Sequence, residues 1–241
     1  MSEDSIPEIA VRYYEKQEYV QDAELFARSH QTERLAKLSK CVNLDAFETC
    51  LEIGCGAGVH SQDFRGWIGV DLSARALRAA AQHPRIRALA ECLPMKDNCF
   101  DLVIAFNVIE HLYHPEHFLN EILRVLRDHG YIVIDSPNIV KKNDVSWFAS
   151  ETIWLLLSRL GFRRGFRARF RRADYSKIGG DSDAVYLVNL IDVMQFLAYR
   201  GCEIVSSRPW RFIWWMRGLK DPLIVAKLAK SPRNGSQQGH V

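Results

Sequence analysis

The stretch from Cys50 to Ser73, CLEIGCGAGVHSQDFRGWIGVDLS, constrains the fold of this chain more than any other. Apolar Cys50, Leu51 and Ile53 lead into Gly54, Gly56 and Gly58, a short segment that reads as a helix follows, and Trp67, Ile68 and Val70 then lead into Asp71. Two apolar strands joined by one crossover form a parallel pair, so the glycines and Asp71 share one edge of the sheet. Open α/β sheets bind their ligands at that edge. Alternate glycines let the backbone turn sharply and let a ligand approach where a Cβ would otherwise stand.

Two kinds of cofactor could use such a turn. A dinucleotide fold needs G-x-G-x-x-G, whose third glycine seats the helix on the strand. Here the glycines run G-x-G-x-G, with Glu52 just before them. That order resembles E-x-G-x-G-x-G, the nucleoside-binding loop of the class I methyltransferases that use S-adenosylmethionine. Asp71 fits both readings, because a strand-end carboxylate can accept both hydroxyls of a ribose. A dinucleotide-binding module, or one that binds S-adenosylmethionine without turnover, therefore remains the alternative.

A second stretch, AECLPMKDNCFDLVIAFNVIEHL, is similar to the type 11, ubiquinone and menaquinone biosynthesis-like branch of that family. Its members read D-A-x-x-L-P-F, then S-F-D, then an apolar strand ending in N-V-x-E-H. Ala90, Glu91, Leu93, Pro94, Met95, Phe100 and Asp101 fall on the pattern, while Leu89 stands where the family has Asp. Adenine recognition is then expected to rest on backbone groups around Ala90 and Glu91, or on the Glu91 carboxylate. The resemblance implies S-adenosylmethionine as cofactor, contacted by Glu52, Gly54, Cys55, Gly56, Gly58, Asp71, Leu72, Ala90, Glu91 and Asn107. It places His111 near the transferred methyl as the candidate catalytic residue, with His60 a lesser one. One subgroup holds Mg²⁺ through E-x-x-E-H, but Asn107 replaces the first Glu and removes a hard anionic ligand. No metal is expected.

The family's architecture is a Rossmann-like, doubly wound sheet of seven strands in the order 3-2-1-4-5-7-6, with strand 7 antiparallel, N-terminal helices and an insertion after strand 5. On this frame residues 1–45 form a helical cap, 46–230 the core, 139–186 a substrate-side insertion and 231–241 a disordered tail. Within the cap, Tyr13 and Tyr14 merit attention because N-terminal helices in this fold often lie over the cofactor. The helix starting at Pro115 is expected to end at Gly130 as its C-cap, with strand 5 running from Tyr131 to Ile134.

Specificity is expected in the insertion. Seven arginines (Arg159, Arg163, Arg164, Arg167, Arg169, Arg171 and Arg172) lie within 14 residues with no acid among them, so that at a net charge of +3 the remainder is acidic. Trp147 and Trp154 precede the cluster, and Trp214 and Trp215 follow in a second aromatic run. A lid over a small-molecule site is the first reading, and a surface for an anionic membrane or a lipid-linked acceptor the second. Nucleic acid is disfavoured, because these tryptophans sit among aliphatic neighbours and not on exposed stacking platforms. Six scattered cysteines without a C-x-x-C pair, no long apolar run and the acidic start MSEDS point to a cytoplasmic protein, at most peripheral at the inner membrane surface. The expected reaction is methyl transfer to a hydroxyl of a small or lipid-linked metabolite.

Overall fold

The computed structural model describes residues 8–79, 82–137, 170–206 and 223–229, with Ile153 and Leu157. Seven strands form one sheet: β1 (Cys50–Ile53), β2 (Trp67–Asp71), β3 (Arg85–Arg87), β4 (Phe100–Phe106), β5 (Leu126–Asp135), β6 (Cys202–Ile204) and β7 (Leu223–Leu228). Their order is β3-β2-β1-β4-β5-β7-β6, and β7 runs antiparallel to both neighbours. Helices α1 (Glu8–Tyr14), α2 (Gln17–Leu38), α3 (Ala74–Ala79), α4 (Pro115–Val125) and α5 (Leu190–Tyr199) flank it.

The central strands are apolar on both faces because both faces are covered. Leu51, Ile53, Val103, Ala105, Ile132 and Ile134 point to the layer of α4 and α5. Cys50, Leu102, Ile104, Phe106 and Val133 point the other way, onto Leu38 of α2, Phe47 and Phe64. Burying each such aliphatic side chain contributes about 1.5 to 3 kcal/mol. Register then sets the functional edge: Ile53 pairs with Val70, and the Val70 carbonyl accepts from the amides of Gly54 and Cys55 at 2.8 and 3.0 Å. The glycine turn and Asp71 thus leave the sheet side by side.

Two local expectations are corrected. Residues 56–63 form successive turns, closed by Gly58 N to Cys55 O, Ser61 N to Gly58 O and Asp63 N to His60 O, and not a helix. Gly56 and Gly58 hold φ of 51° and 70°, which a right-handed helix cannot include. Gly130 is not a C-cap either, since α4 stops at Val125 and β5 begins at Leu126. The ladder shifts between Phe100 and Leu102, and the left-handed residue of the bulge is His129, with φ of 63°. Bulges re-aim a strand without ending it. Among the described residues, no helix is long and apolar enough to cross a membrane.

Candidate active site

A cavity of about 500 Å³ opens at the C-terminal edge of β1, β2 and β4. Its floor is the glycine turn. A Cβ on Gly54 would stand 2.4 Å from Val108 Cγ2, so that position needs glycine for packing as well as for its φ of 69°. A Cβ on Gly56 would meet nothing within 4 Å, which leaves the backbone there bare toward the cavity.

The acids at this end are each held by hydrogen bonds, Asp71 and Glu91 from backbone amides and Glu52 from side chains. Asp71 Oδ2 accepts from the Gly56 amide and Oδ1 from the Ser73 amide, both at 2.8 Å, while burial pushes its pKa up. Ser73 also caps α3, its Oγ accepting from the Ala76 amide. Glu15, just past α1, adds a second cap by accepting from the amides of Ala74 and Arg75 at 2.7 and 3.1 Å. Glu52 is buried, with one oxygen 2.8 Å from His60 Nδ1 and the other accepting from Trp67 Nε1 at 2.7 Å. His60 is therefore a buried partner of Glu52. Glu91 accepts from the His114 amide at 3.1 Å, and partial burial raises its pKa. Cys55, Leu72 and Ala90 line the cavity, whereas Gly58 serves the turn and does not.

At the far end of β4, Asn107 holds a φ of 54° and its amide donates to the carbonyl and the carboxylate of Asp135. Its side-chain oxygen accepts from Arg34 of α2, whose guanidinium also pairs with Asp135 at 2.7 Å and lies 4.7 Å from the centre of the Phe106 ring. Sequence inspection did not single out Arg34 or Asp135. An arginine on a surface-like helix carries no signal of a partner 101 residues away.

His111 ends the short 3₁₀ turn Ile109–His111, between two carboxylates. Its Nδ1 is 3.2 Å from Asp183 Oδ2, close enough for an ion pair once the ring is protonated but not aligned as a hydrogen bond. Its Nε2 is 3.8 Å from Glu110 Oε1. Asp183 arrives because the amides of Val185 and Tyr186 both donate to the Glu110 carbonyl at 2.9 Å. Tyr14 stands edge-on to the imidazole, with ring centres 6.3 Å apart. Of the arginine cluster only Arg171 and Arg172 are described. Arg171 is turned inward to the Ala184 carbonyl and to Asp181, at 2.7 and 3.2 Å. Arg159, Arg163, Arg164, Arg167 and Arg169, the four tryptophans noted above and the tail lie outside the described residues.

Glu110 is fully enclosed. Burial first, opposed by His111 and by the Ser136 hydroxyl that donates to it at 2.9 Å, raises its pKa to about 7. A carboxyl whose pKa is higher folded than unfolded stabilises the fold below about 4.5, and that contribution is lost as pH rises through about 7. Glu110→Gln, which can still accept from Ser136, should therefore gain stability relative to the parent between pH 5 and pH 8, by on the order of 3 kcal/mol at 1.36 kcal/mol per pKa unit. Urea unfolding of both proteins across that range measures it, and parallel stability curves would refute it.

Residues 51–134 match a family model described as a methyltransferase domain. A probable S-adenosylmethionine-dependent methyltransferase of Mycolicibacterium smegmatis is 34% identical over 116 residues, covering 46% of this chain and 45% of that protein. A ubiquinone biosynthesis O-methyltransferase of Glaesserella parasuis is 28% identical over 126 residues, covering 45% of this chain and 53% of that one. The chain thus matches less than half the length of the first of these relatives. Among solved structures, a methyltransferase of Thermotoga maritima described as a possible histamine N-methyltransferase superposes with a TM-score of 0.55 at 17% identity, over 92% of this chain and all of that one.

Proposed function

From a chain that carries a class I methyltransferase domain, matched at residues 51–134, we propose an enzyme that uses S-adenosylmethionine to methylate a hydroxyl of a small or lipid-linked metabolite. The observation that carries the reading is one cavity lined both by the glycine turn and Asp71 and by His111 and Asp183. The residues present fit the cofactor. Gly56 offers bare backbone, Asp71 a fixed carboxylate for a ribose, and the Ala90 and Glu91 segment a wall for a base. Arg34, paired with Asp135, and Asn107 supply N–H donors at the C-terminal end of β4, where an amino-acid carboxylate could sit.

S-adenosylmethionine, when bound, supplies an electrophilic sulfonium methyl. The protein's own part is then to orient the nucleophile and to exclude water, which can contribute several kcal/mol. Tyr13, Tyr14 and Tyr19 of the N-terminal segment close the cavity over the β4 edge. His111 is placed to take the hydroxyl proton as the oxygen attacks, and an imidazolium formed there meets Asp183 and Glu110. Asp183 faces the imidazolium from the Nδ1 side.

Asp71→Ala should weaken S-adenosylhomocysteine binding by about 1 to 3 kcal/mol, because the ribose loses a charged acceptor. That is roughly 5- to 150-fold in Kd. Calorimetric titration decides it, with NAD as the control ligand. An unchanged Kd, or tighter binding of NAD, would end this reading in favour of a dinucleotide module.

A further inference from the structure

The acceptor end of the cavity is aromatic and acidic at once. Tyr13, Tyr14, Tyr19 and Tyr175 line it, with neighbouring ring centres 4.8 to 5.4 Å apart and planes inclined by 56 to 78°, an angular cluster and not a stack. Such rings present electron-rich faces that attract cations within about 6 Å. The cluster already does so on its outer side, where Lys16 Nζ lies 5.2 Å from the Tyr13 centroid and donates to the Tyr175 carbonyl. Lys16 lines a separate outer groove and not the cavity.

The described lining holds eight carboxyl side chains and one guanidinium, Arg34, which Asp135 neutralises. Glu52, Asp71 and Glu91 belong to the nucleoside end and are engaged there. Glu24 pairs with Arg28, and Asp181 with Arg171. Asp183 and Glu110, both buried, and Asp22 at the rim remain at the acceptor end, faced by His111 and tyrosines. Charges in so enclosed a site are weakly screened, so an anionic acceptor is disfavoured and a cationic one favoured.

We propose that the acceptor carries a positively charged nitrogen, held among Tyr14, Tyr19 and Tyr175 and faced by Asp183. The inference rests on the methyl-transfer reading and names its substrate class, amino alcohols. The charged nitrogen has no lone pair and only binds; the hydroxyl of the same molecule gives its proton to His111 as its oxygen takes the methyl.

The test is calorimetric titration of the whole protein, saturated with S-adenosylhomocysteine, with choline and with its uncharged isostere 3,3-dimethylbutan-1-ol. Choline should bind at least about tenfold more tightly. Tyr14→Phe should keep that preference, while Tyr14→Leu and Asp183→Asn should bring the two ligands close to parity. Retained S-adenosylhomocysteine binding shows that the variants fold. Choline that does not bind, or binds no better than the alcohol, overturns the proposal, as does a preference that survives in both Tyr14→Leu and Asp183→Asn. So does choline binding that vanishes once S-adenosylhomocysteine is present, since the site would then serve the cofactor's own charges. A protein that does not bind S-adenosylhomocysteine fails the methyl-transfer reading itself and takes this inference with it; a missing cation preference with S-adenosylhomocysteine bound sinks the inference alone.

Discussion

Arg34→Met is expected to destabilise the protein by about 3 to 5 kcal/mol, the usual loss when one partner of a buried ion pair is removed. The pair qualifies, since the side chains of Arg34 and Asp135 are 8% and 5% exposed. Methionine roughly keeps the packing on Phe106 but takes away the guanidinium that faces the buried Asp135 carboxylate, to which the Asn107 amide still donates. The double variant Arg34→Met/Asp135→Asn removes the uncompensated charge and should recover much of the loss. Urea unfolding of the four proteins of this cycle measures the coupling. If Arg34→Met costs no more than a surface substitution, the pair does not hold α2 to the sheet.

The second large effect is catalytic. His111→Ala should lower kcat by about 10²- to 10⁴-fold, the range for loss of a positioned general base, while S-adenosylhomocysteine binds as before. Unchanged cofactor affinity is expected because His111 faces Glu110, Asp183 and Tyr14, none of which holds Asp71 or the glycine turn. Asp183→Asn should lower kcat less and alter the shape of the pH–rate profile, because the imidazolium loses one of its two facing carboxylates. A His111→Ala enzyme with normal kcat would show that orientation alone suffices and that no base is used.

How far the sequence could be read follows the distance over which each feature is determined. The turn from Gly54 to Gly58 and the strand-end Asp71 are written in contiguous patterns; the seven-strand order comes from the family resemblance those patterns carry, and the sheet has that order. The helix expected after the turn was misread because three positions demanding positive φ were weighed as ligand-binding signals and not as helix breakers. Gly130 reads as a helix cap from the local sequence alone, whereas strand pairing to Phe100 claims Leu126 first. Glu15, Arg34, Tyr175 and Asp183 were not singled out. Each acts on a residue far along the chain, as Glu15 does on Ala74 across 59 positions, and nothing near it announces the partner. Tyr13 and Tyr14 were flagged through the fold alone, and both line the cavity.

The two ends of the cavity differ in how the chain supplies them. The nucleoside end comes from one unbroken run, from Glu52 to Glu91, whereas around the turn that carries Glu110 and His111 the acceptor end is assembled by α1, α2 and the segment around Tyr175 and Asp183, joined where Lys16 reaches the Tyr175 carbonyl across 159 positions. Substitutions that retune acceptor choice therefore fall on segments that neither set the glycine turn nor carry Asp71. Under selection, substrate preference can drift in such a molecule while cofactor use stays fixed, and duplicated copies of the gene could part ways by changes at the two remote segments alone.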